Sequence, residues 1–251
     1  MFLAIDTGNT STHCGIYDNE KLVKTFRINS DINSPKSVYE DFFRQEFEDF
    51  NITSCLIASV NTEFNSILQS TILSVLGFEA NFLTIDMCKE LKVKTQHPKA
   101  VGADRLADIY GITENVYPSI IIDIGTAITF DILASANEYI GGLIIPGLDM
   151  QLKALHEFTS KLPRIKIKES PSAIANSTET AILSGVIRGT AQTVEGMIYQ
   201  CEQELGKKTT TIATGGQCEI LEKYMNRKFD IINHNLTLDG IKRIAKNNNI
   251  I

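Results

Sequence analysis

The sequence predicts an α/β fold made of two copies of one domain, each a mixed sheet flanked by helices, with a cleft between them. Two observations carry that prediction. The first is a repeat: Leu3-Ala4-Ile5-Asp6-Thr7-Gly8-Asn9-Thr10 returns as Ile121-Ile122-Asp123-Ile124-Gly125-Thr126-Ala127-Ile128-Thr129. Each copy reads as an apolar strand, an Asp-x-Gly turn with small hydroxyl or amide residues, and a second strand. The second is spacing, because Asp6 and Asp123 stand 117 positions apart in a chain of 251. The division expected is therefore 1–117 and 118–251.

The elements follow in order. Met1–Ile5 reads as a strand buried on both faces. The strands through Cys14–Tyr17 and Leu22–Ile28 complete an antiparallel meander turned at Asp18-Asn19-Glu20. Ser34 and Pro35 predict a helix start, Ser as N-cap and Pro at the first helical position. Val38, Phe42, Phe43, Phe47 and Phe50 give that helix its apolar stripe. A strand over Leu56–Val60 leads to a helix capped by Asn61 and ended by Gly77, with Phe64, Ile67, Leu68 and Ile72 on one face. Asn81–Ile85 reads as a strand, Leu91–Gly102 as a loop, and Gly102-Ala103-Asp104-Arg105 as the entry to a helix through Tyr110.

From Pro118 the theme repeats. Strands over Ile120–Ile124, Ile128–Leu133 and Tyr139–Ile145 end at Pro146-Gly147, and Leu148, Leu152, Leu155 and Phe158 line a helix. A polar linker holds Pro163 and Pro171, and a long helix opens at Thr178. Gly185 and Gly189, four apart on it, predict close helix packing. Thr211–Thr214 runs as a strand into a Gly215-Gly216 turn, and Leu238, Ile241 and Ile244 mark the closing helix.

Bulk properties exclude several classes. With 43% hydrophobic and 22% charged residues the composition is that of an ordinary globular protein. A net charge of −6 argues against a nucleic-acid partner, which favours a basic surface. The five scattered cysteines contain no C-x-x-C pair, which points to a reduced, cytoplasmic compartment. No apolar run approaches the ~18 residues of a membrane span, and the run at the N-terminus stops at Asp6, too early for a signal peptide.

The chemistry lies in the turns. Glycine lets backbone approach a ligand closely, and amide N–H groups with threonine hydroxyls suit a phosphate. An aspartate at the strand end can hold a cation or orient a water beside it. Two commoner nucleotide motifs are absent: Gly206-Lys207-Lys208-Thr209 lacks the earlier glycine of a phosphate loop, and no G-x-G-x-x-G follows a strand. Asp104 reads two ways, as a carboxylate for proton transfer or as a first-turn acid favoured by the helix dipole. Thr178 likewise reads as a ligand contact or as a helix cap. Of the histidines, His97, His156 and His234 read as surface or loop residues without metal spacing, while His13 follows the first turn directly.

Taken together, six blocks resemble the type III pantothenate kinase family, within the superfamily of acetate and sugar kinases, heat-shock ATPases and actin. They are Asp6-x-Gly8-Asn9-Thr10, Gly102-Ala103-Asp104-Arg105, Asp123-x-Gly125-Thr126-Ala127-x-Thr129-x-Asp131, Gly141-Gly142-x-x-x-Pro146-Gly147, Lys161-Leu162-Pro163-Arg164 and Ala213-Thr214-Gly215-Gly216. The resemblance implies duplicated ribonuclease H-like, actin-like ATPase domains and ATP-dependent phosphorylation of pantothenate to 4'-phosphopantothenate, the first step toward coenzyme A. It implies that Asp6, Thr7, Gly8, Asn9, Thr10, Ser11, Thr12 and His13 cradle the ATP phosphates with Thr126, and that Asp104 is the catalytic base. It implies pantothenate contacts at Thr95, Gly102, Ala103, Asp104, Arg105 and Thr178, and a monovalent cation, K⁺ or NH₄⁺, at Asp123 beside Mg²⁺-ATP. It also implies a cytoplasmic homodimer without nucleic-acid or membrane partners. Arg105 suits the pantothenate carboxylate or the transferring phosphate equally. Thr95 stands where the family commonly has a tyrosine lining the pocket. That departure keeps open a related small-molecule kinase with another hydroxylated acceptor, alongside a non-catalytic nucleotide-binding regulator.

Overall fold

A computed structural model of the chain describes residues 1–113, 116–170 and 172–251, so Pro171 of the expected linker lies outside the described residues. The first stretch gives β1 (Phe2–Thr7), β2 (Ser11–Asp18), β3 (Lys21–Asn29), α1 (Lys36–Phe47), β4 (Ser54–Ser59), α2 (Thr62–Leu76), β5 (Asn81–Phe82), β6 (Lys92–Val93) and α3 (Ala103–Gly111). Then come β7 (Ser119–Ile124), β8 (Ala127–Ser135), β9 (Glu138–Pro146), α4 (Leu148–Glu157), α5 (Thr178–Leu183) and α6 (Gly189–Leu205). The chain closes with β10 (Thr210–Thr214), α7 (Cys218–Glu222), β11 (Ile231–Ile232) and α8 (Leu236–Asn247).

Two compact units result, and their sheets repeat one plan. In the first the strand order is β3-β2-β1-β4-β5, with β1 antiparallel to β2 and parallel to β4. In the second it is β11-β10-β7-β8-β9-β6, with β7 antiparallel to β8 and parallel to β10. A hairpin whose first strand then takes a parallel neighbour needs a crossover helix, which α1 supplies in one unit and α4 to α6 in the other. The repeat seen in the sequence is thus a repeat of topology.

The first unit comprises Met1–Leu91, Gln96–Glu114 and Asn235–Ile251, and the second Lys92–Thr95 and Asn115–His234. This differs from a division at residue 117, because the closing helix belongs with the first unit and a short strand from the expected loop belongs with the second. The physical reason is that β1 is buried on both faces. Leu3 and Ile5 pack with Phe43, Phe64 and Leu68 of α1 and α2, while Phe2 and Ala4 pack with Leu106 of α3 and Leu238, Ile241 and Ile244 of α8. Each such buried aliphatic or aromatic side chain contributes about 1.5–3 kcal/mol. Without α8 that face of the sheet would lose much of its cover. In the second unit, Ile120, Ile122, Ile124, Ile128 and Phe130 pack beneath Leu148, Leu183, Ile187, Val194 and Leu221.

Local signals account for most boundaries. The Asn61 side chain accepts from the Phe64 amide at 3.2 Å, and Gly77 ends α2 in the left-handed region at φ 81°. Elsewhere the expectation shifts. α1 begins one residue later than expected, because Ser34 turns its hydroxyl to Asp31 at 3.0 Å and Pro35 takes the cap position. The expected strand over Asn81–Ile85 is only two residues long and runs into a 3₁₀ turn at Ile85–Met87. The expected loop at Leu91–Gly102 holds β6, which adds to β9, and a second 3₁₀ turn at Pro98–Ala100.

The long helix opening at Thr178 is interrupted by a π-helical turn at Ser184–Arg188, and its cap is Ser177, whose hydroxyl accepts from the Thr180 amide at 3.2 Å. Thr178 is therefore not the cap. Nor do Gly185 and Gly189 permit close packing, since a Cβ at either would meet nothing within 4 Å. Glycine loosens the helix there instead. Close approach occurs at Gly240, where a Cβ would lie 1.7 Å from the Ala107 carbonyl and force α8 off α3. Gly240→Ala is expected to lower stability by about 3 kcal/mol, the upper end of ordinary overpacking costs. A calorimetric melting midpoint unchanged by the substitution would show that α3 and α8 are not held at this separation. Among the described residues no helix is long and apolar enough to cross a membrane.

Candidate functional site

In the first unit the Asp-x-Gly turn projects from the ends of β1 and β2. The Gly8 amide donates to the Ser11 carbonyl at 3.0 Å, closing the turn. Asn9 and Thr10 are exposed at its tip and Gly8 and Ser11 half-buried beside them, whereas Thr7, Thr12 and His13 are buried beneath. The Thr12 hydroxyl lies 3.0 Å from that of Ser30 and donates to Thr7 Oγ1 at 3.4 Å. These hydroxyls stiffen the hairpin from inside. Burial, aided by the Arg27 charge across the ladder, lowers the His13 pKa to about 4, so its imidazole is neutral at physiological pH. Asp6, half-buried, pairs across the ladder with His13 on one side and Ala58 on the other.

The Gly102-Ala103-Asp104-Arg105 block reaches the same end of this sheet. Val60, just past β4, donates its amide to the Thr7 carbonyl at 3.0 Å, and a Cβ on Gly102 would lie 3.4 Å from the Val60 side chain. That Cβ would also lie 2.4 Å from Asp104 Oδ1, so the carboxylate rests directly on the Gly102 backbone. A side chain at position 102 would push the Asp104 carboxylate aside. Asp104 sits in the first turn of α3 and accepts from the Arg105 amide at 2.7 Å. Burial raises its pKa above the usual carboxylate value, with the Arg105 amide and guanidinium opposing the rise. Such an acid is poised to hold a proton.

The second unit gathers three blocks around one turn. Asp123 lies near the end of β7, in register with Thr129 of β8 and Thr214 of β10. The Gly125 amide donates to the Ala127 carbonyl at 3.0 Å, and the Gly147 amide to the Thr126 carbonyl at 3.0 Å. A Cβ on Gly147 would lie 2.2 Å from the Gly125 carbonyl oxygen and 2.4 Å from that of Thr126. Gly215, at φ +94°, presses on the other side, where a Cβ would come within 2.4 Å of the Ile124 oxygen and 2.7 Å of Asp123 Oδ1. The Pro146-Gly147 and Thr214-Gly215-Gly216 blocks are thus the two walls of the Asp123 turn. Behind them the Cys218 thiol donates to the Thr214 carbonyl at 2.8 Å, and burial followed by the Asp123 charge pushes its pKa up. Thr126 is exposed at the tip.

Oxygen donors dominate this turn, which suits a hard cation. Among the described residues no cluster of three His, Cys, Asp or Glu could hold a metal alone, so any cation here would share its shell with backbone oxygens, water or a bound phosphate. The remaining expected contacts are dispersed. Thr95 follows β6 in the second unit, its hydroxyl buried without a partner among the described residues. Thr178 is exposed and lines a groove of about 840 Å³ with Leu155, Phe158, Ala181 and Gly185. Sequence reasoning missed Ser30, Gln217, whose amide donates to Asp149 at 2.8 Å, and the pairing of His234 with Glu219 at 2.6 Å. None belongs to a repeated block, so only the fold exposes them.

Comparison with known proteins identifies the fold and the family. A ROK family glucokinase from Streptomyces griseus, solved with glucose and AMPPNP, superposes with a TM-score of 0.55 at 11% identity, covering 98% of this chain and 99% of its own. MreB5 of Spiroplasma citri bound to ADP superposes with a TM-score of 0.52 at 11% identity, covering 99% and 98%. The fold is therefore the duplicated actin-like one. A curated protein of Thermus thermophilus, type III pantothenate kinase, is 36% identical over 252 residues, 97% of this chain and 98% of its own. The family model described as type III pantothenate kinase matches residues 2–200, and the chain belongs to that family.

Proposed function

We propose that the protein transfers the terminal phosphoryl group of ATP to the primary hydroxyl of pantothenate, working as a cytoplasmic dimer of identical chains. The observation that carries this reading is the half-buried Asp104 carboxylate, set on Gly102 at the sheet end where the first Asp-x-Gly turn projects. Asp104 orients the pantothenate hydroxyl and accepts its proton as the oxygen attacks the phosphorus. The first turn, Asp6 to His13, holds the ATP phosphates. The exposed tip from Gly8 to Ser11 touches them, while Thr7, Thr12 and His13 keep the hairpin rigid. Thr126 of the second turn is a further ATP contact.

Phosphoryl transfer is catalysed chiefly by positioning and charge neutralisation. Bound Mg²⁺ and a monovalent cation would supply part of that neutralisation, and the half-buried Asp123 carboxylate, against which Gly215 packs, fits the latter. Gly102, Ala103, Arg105, Thr95 and Thr178 contact pantothenate, Thr95 through a hydroxyl where the family resemblance implies an aromatic ring. Arg105 pairs with the pantothenate carboxylate or the transferring phosphate.

The test is ADP release by the purified protein with pantothenate as acceptor, against a panel of other hydroxylated acids and sugars, in K⁺ and in K⁺-free buffer. Turnover with pantothenate that rises steeply with K⁺ is expected. Preference for another acceptor would overturn the substrate, and equal rates without K⁺ or NH₄⁺ would overturn the cation site.

A further inference from the structure

One side chain outside every repeated block touches the wall of the Asp123 turn. His234 follows β11, and its neighbour Asn233 donates its amide to the Ala213 carbonyl at 2.9 Å, tying this segment to β10. The two ring nitrogens then point to different elements. Nδ1 donates to the Gly215 carbonyl at 3.2 Å, and Nε2 lies 2.6 Å from Glu219 Oε1 on α7. With both ring nitrogens carrying a proton, the ring bridges the Gly turn to the helix that follows it.

Gly215 itself offers little resistance to displacement, because glycine is the most permissive residue in the backbone. Yet its position matters closely: room for even a Cβ is missing between it and the Ile124 oxygen and Asp123 Oδ1. A tether on the Gly215 carbonyl is thus a tether on the distance between this wall and Asp123. Both His234 and Glu219 are about half exposed, and ion pairs of that kind contribute little to folding stability. Their geometry has a local purpose.

From this arrangement we infer that His234, oriented by Glu219, is a positioning residue that fixes the Thr214-Gly215-Gly216 turn for nucleotide binding. The inference rests on the proposed nucleotide site, because this turn packs against the Asp123 turn that carries the proposed ATP contact Thr126. Its effect falls on ATP, not on pantothenate.

The experiment compares His234→Ala, His234→Asn and Glu219→Gln with the unaltered protein. ADP affinity is measured by calorimetry, KM for ATP and for pantothenate by coupled assay, and melting midpoint in parallel. His234→Ala is expected to weaken ADP and raise the ATP KM about tenfold, the effect of one hydrogen bond of ordinary net strength. The pantothenate KM and the melting midpoint stay where they were. His234→Asn, whose amide can replace Nδ1–H toward Gly215, recovers most of the affinity, and Glu219→Gln gives an intermediate loss. Unchanged ADP affinity in His234→Ala would overturn the inference, as would a loss that tracks the melting midpoint or that asparagine fails to relieve. Should the unaltered protein bind ADP but leave pantothenate untouched, the acceptor assignment fails while the ADP titrations still decide the role of His234.

Discussion

Asp104→Asn is expected to lower kcat by about 10²–10⁴-fold, the usual contribution of a positioned general base, while ADP affinity holds. The substitution is nearly isosteric, and the asparagine oxygen can still accept from the Arg105 amide, which lies 2.7 Å from Asp104 Oδ1. Stability separates a chemical from a structural role. Burial raises the Asp104 pKa, so the folded state binds this proton more tightly than the unfolded chain does. The ionised carboxylate accordingly opposes folding above its folded pKa, and stability linked to this group increases as pH falls through that value. Removing the charge should leave the melting midpoint unchanged or raise it. The same sign governs rate. Turnover needs the ionised form, so the acid limb of the kcat profile should lie at higher pH than for a solvated aspartate. Near-normal turnover in the variant, measured by ADP release, would remove Asp104 from the chemistry.

Gly147→Ala should be nearly as severe by a different route. The added methyl has no place to go, with the Gly125 and Thr126 carbonyl oxygens at 2.2 and 2.4 Å. Either the second turn moves or α4, which starts at Leu148, moves with its buried Leu148 and Leu152. Overpacking of this kind costs about 1–3 kcal/mol. A displacement near 1 Å at a phosphate site can cost about 10²-fold in rate. The expected result is loss of both ATP affinity and melting temperature, checked by nucleotide titration and calorimetry. Full affinity in a stable variant would detach Pro146-Gly147 from the nucleotide site.

Much of this is legible in the sequence, for reasons that lie in particular residues. The two Asp-x-Gly turns, the Asn61 cap and the Gly77 stop are local devices, and local devices are written in adjacent letters. The convergence of Gly147 and Gly215 on the turn after Asp123 is not local, although each belongs to a block visible in the sequence. The roles of Thr7 and Thr12 are least legible. A hydroxyl beside a phosphate turn reads the same whether it faces ligand or Ser30, and only burial separates the two. Gly185 and Gly189 mislead for a related cause, since glycine marks close approach and helix loosening with the same letter. The allegiance of α8 is hidden because its apolar stripe says that it packs, not on what.

That allegiance has a consequence for how the protein is made. Leu238, Ile241 and Ile244, which help cover Phe2 and Ala4, are synthesised only after the whole of the second unit. Until they appear, that face of β1 is covered only in part, by residues such as Leu83 and Leu106. The order of translation and the order of assembly are therefore opposed here, and a strand made early is finished by a helix made late.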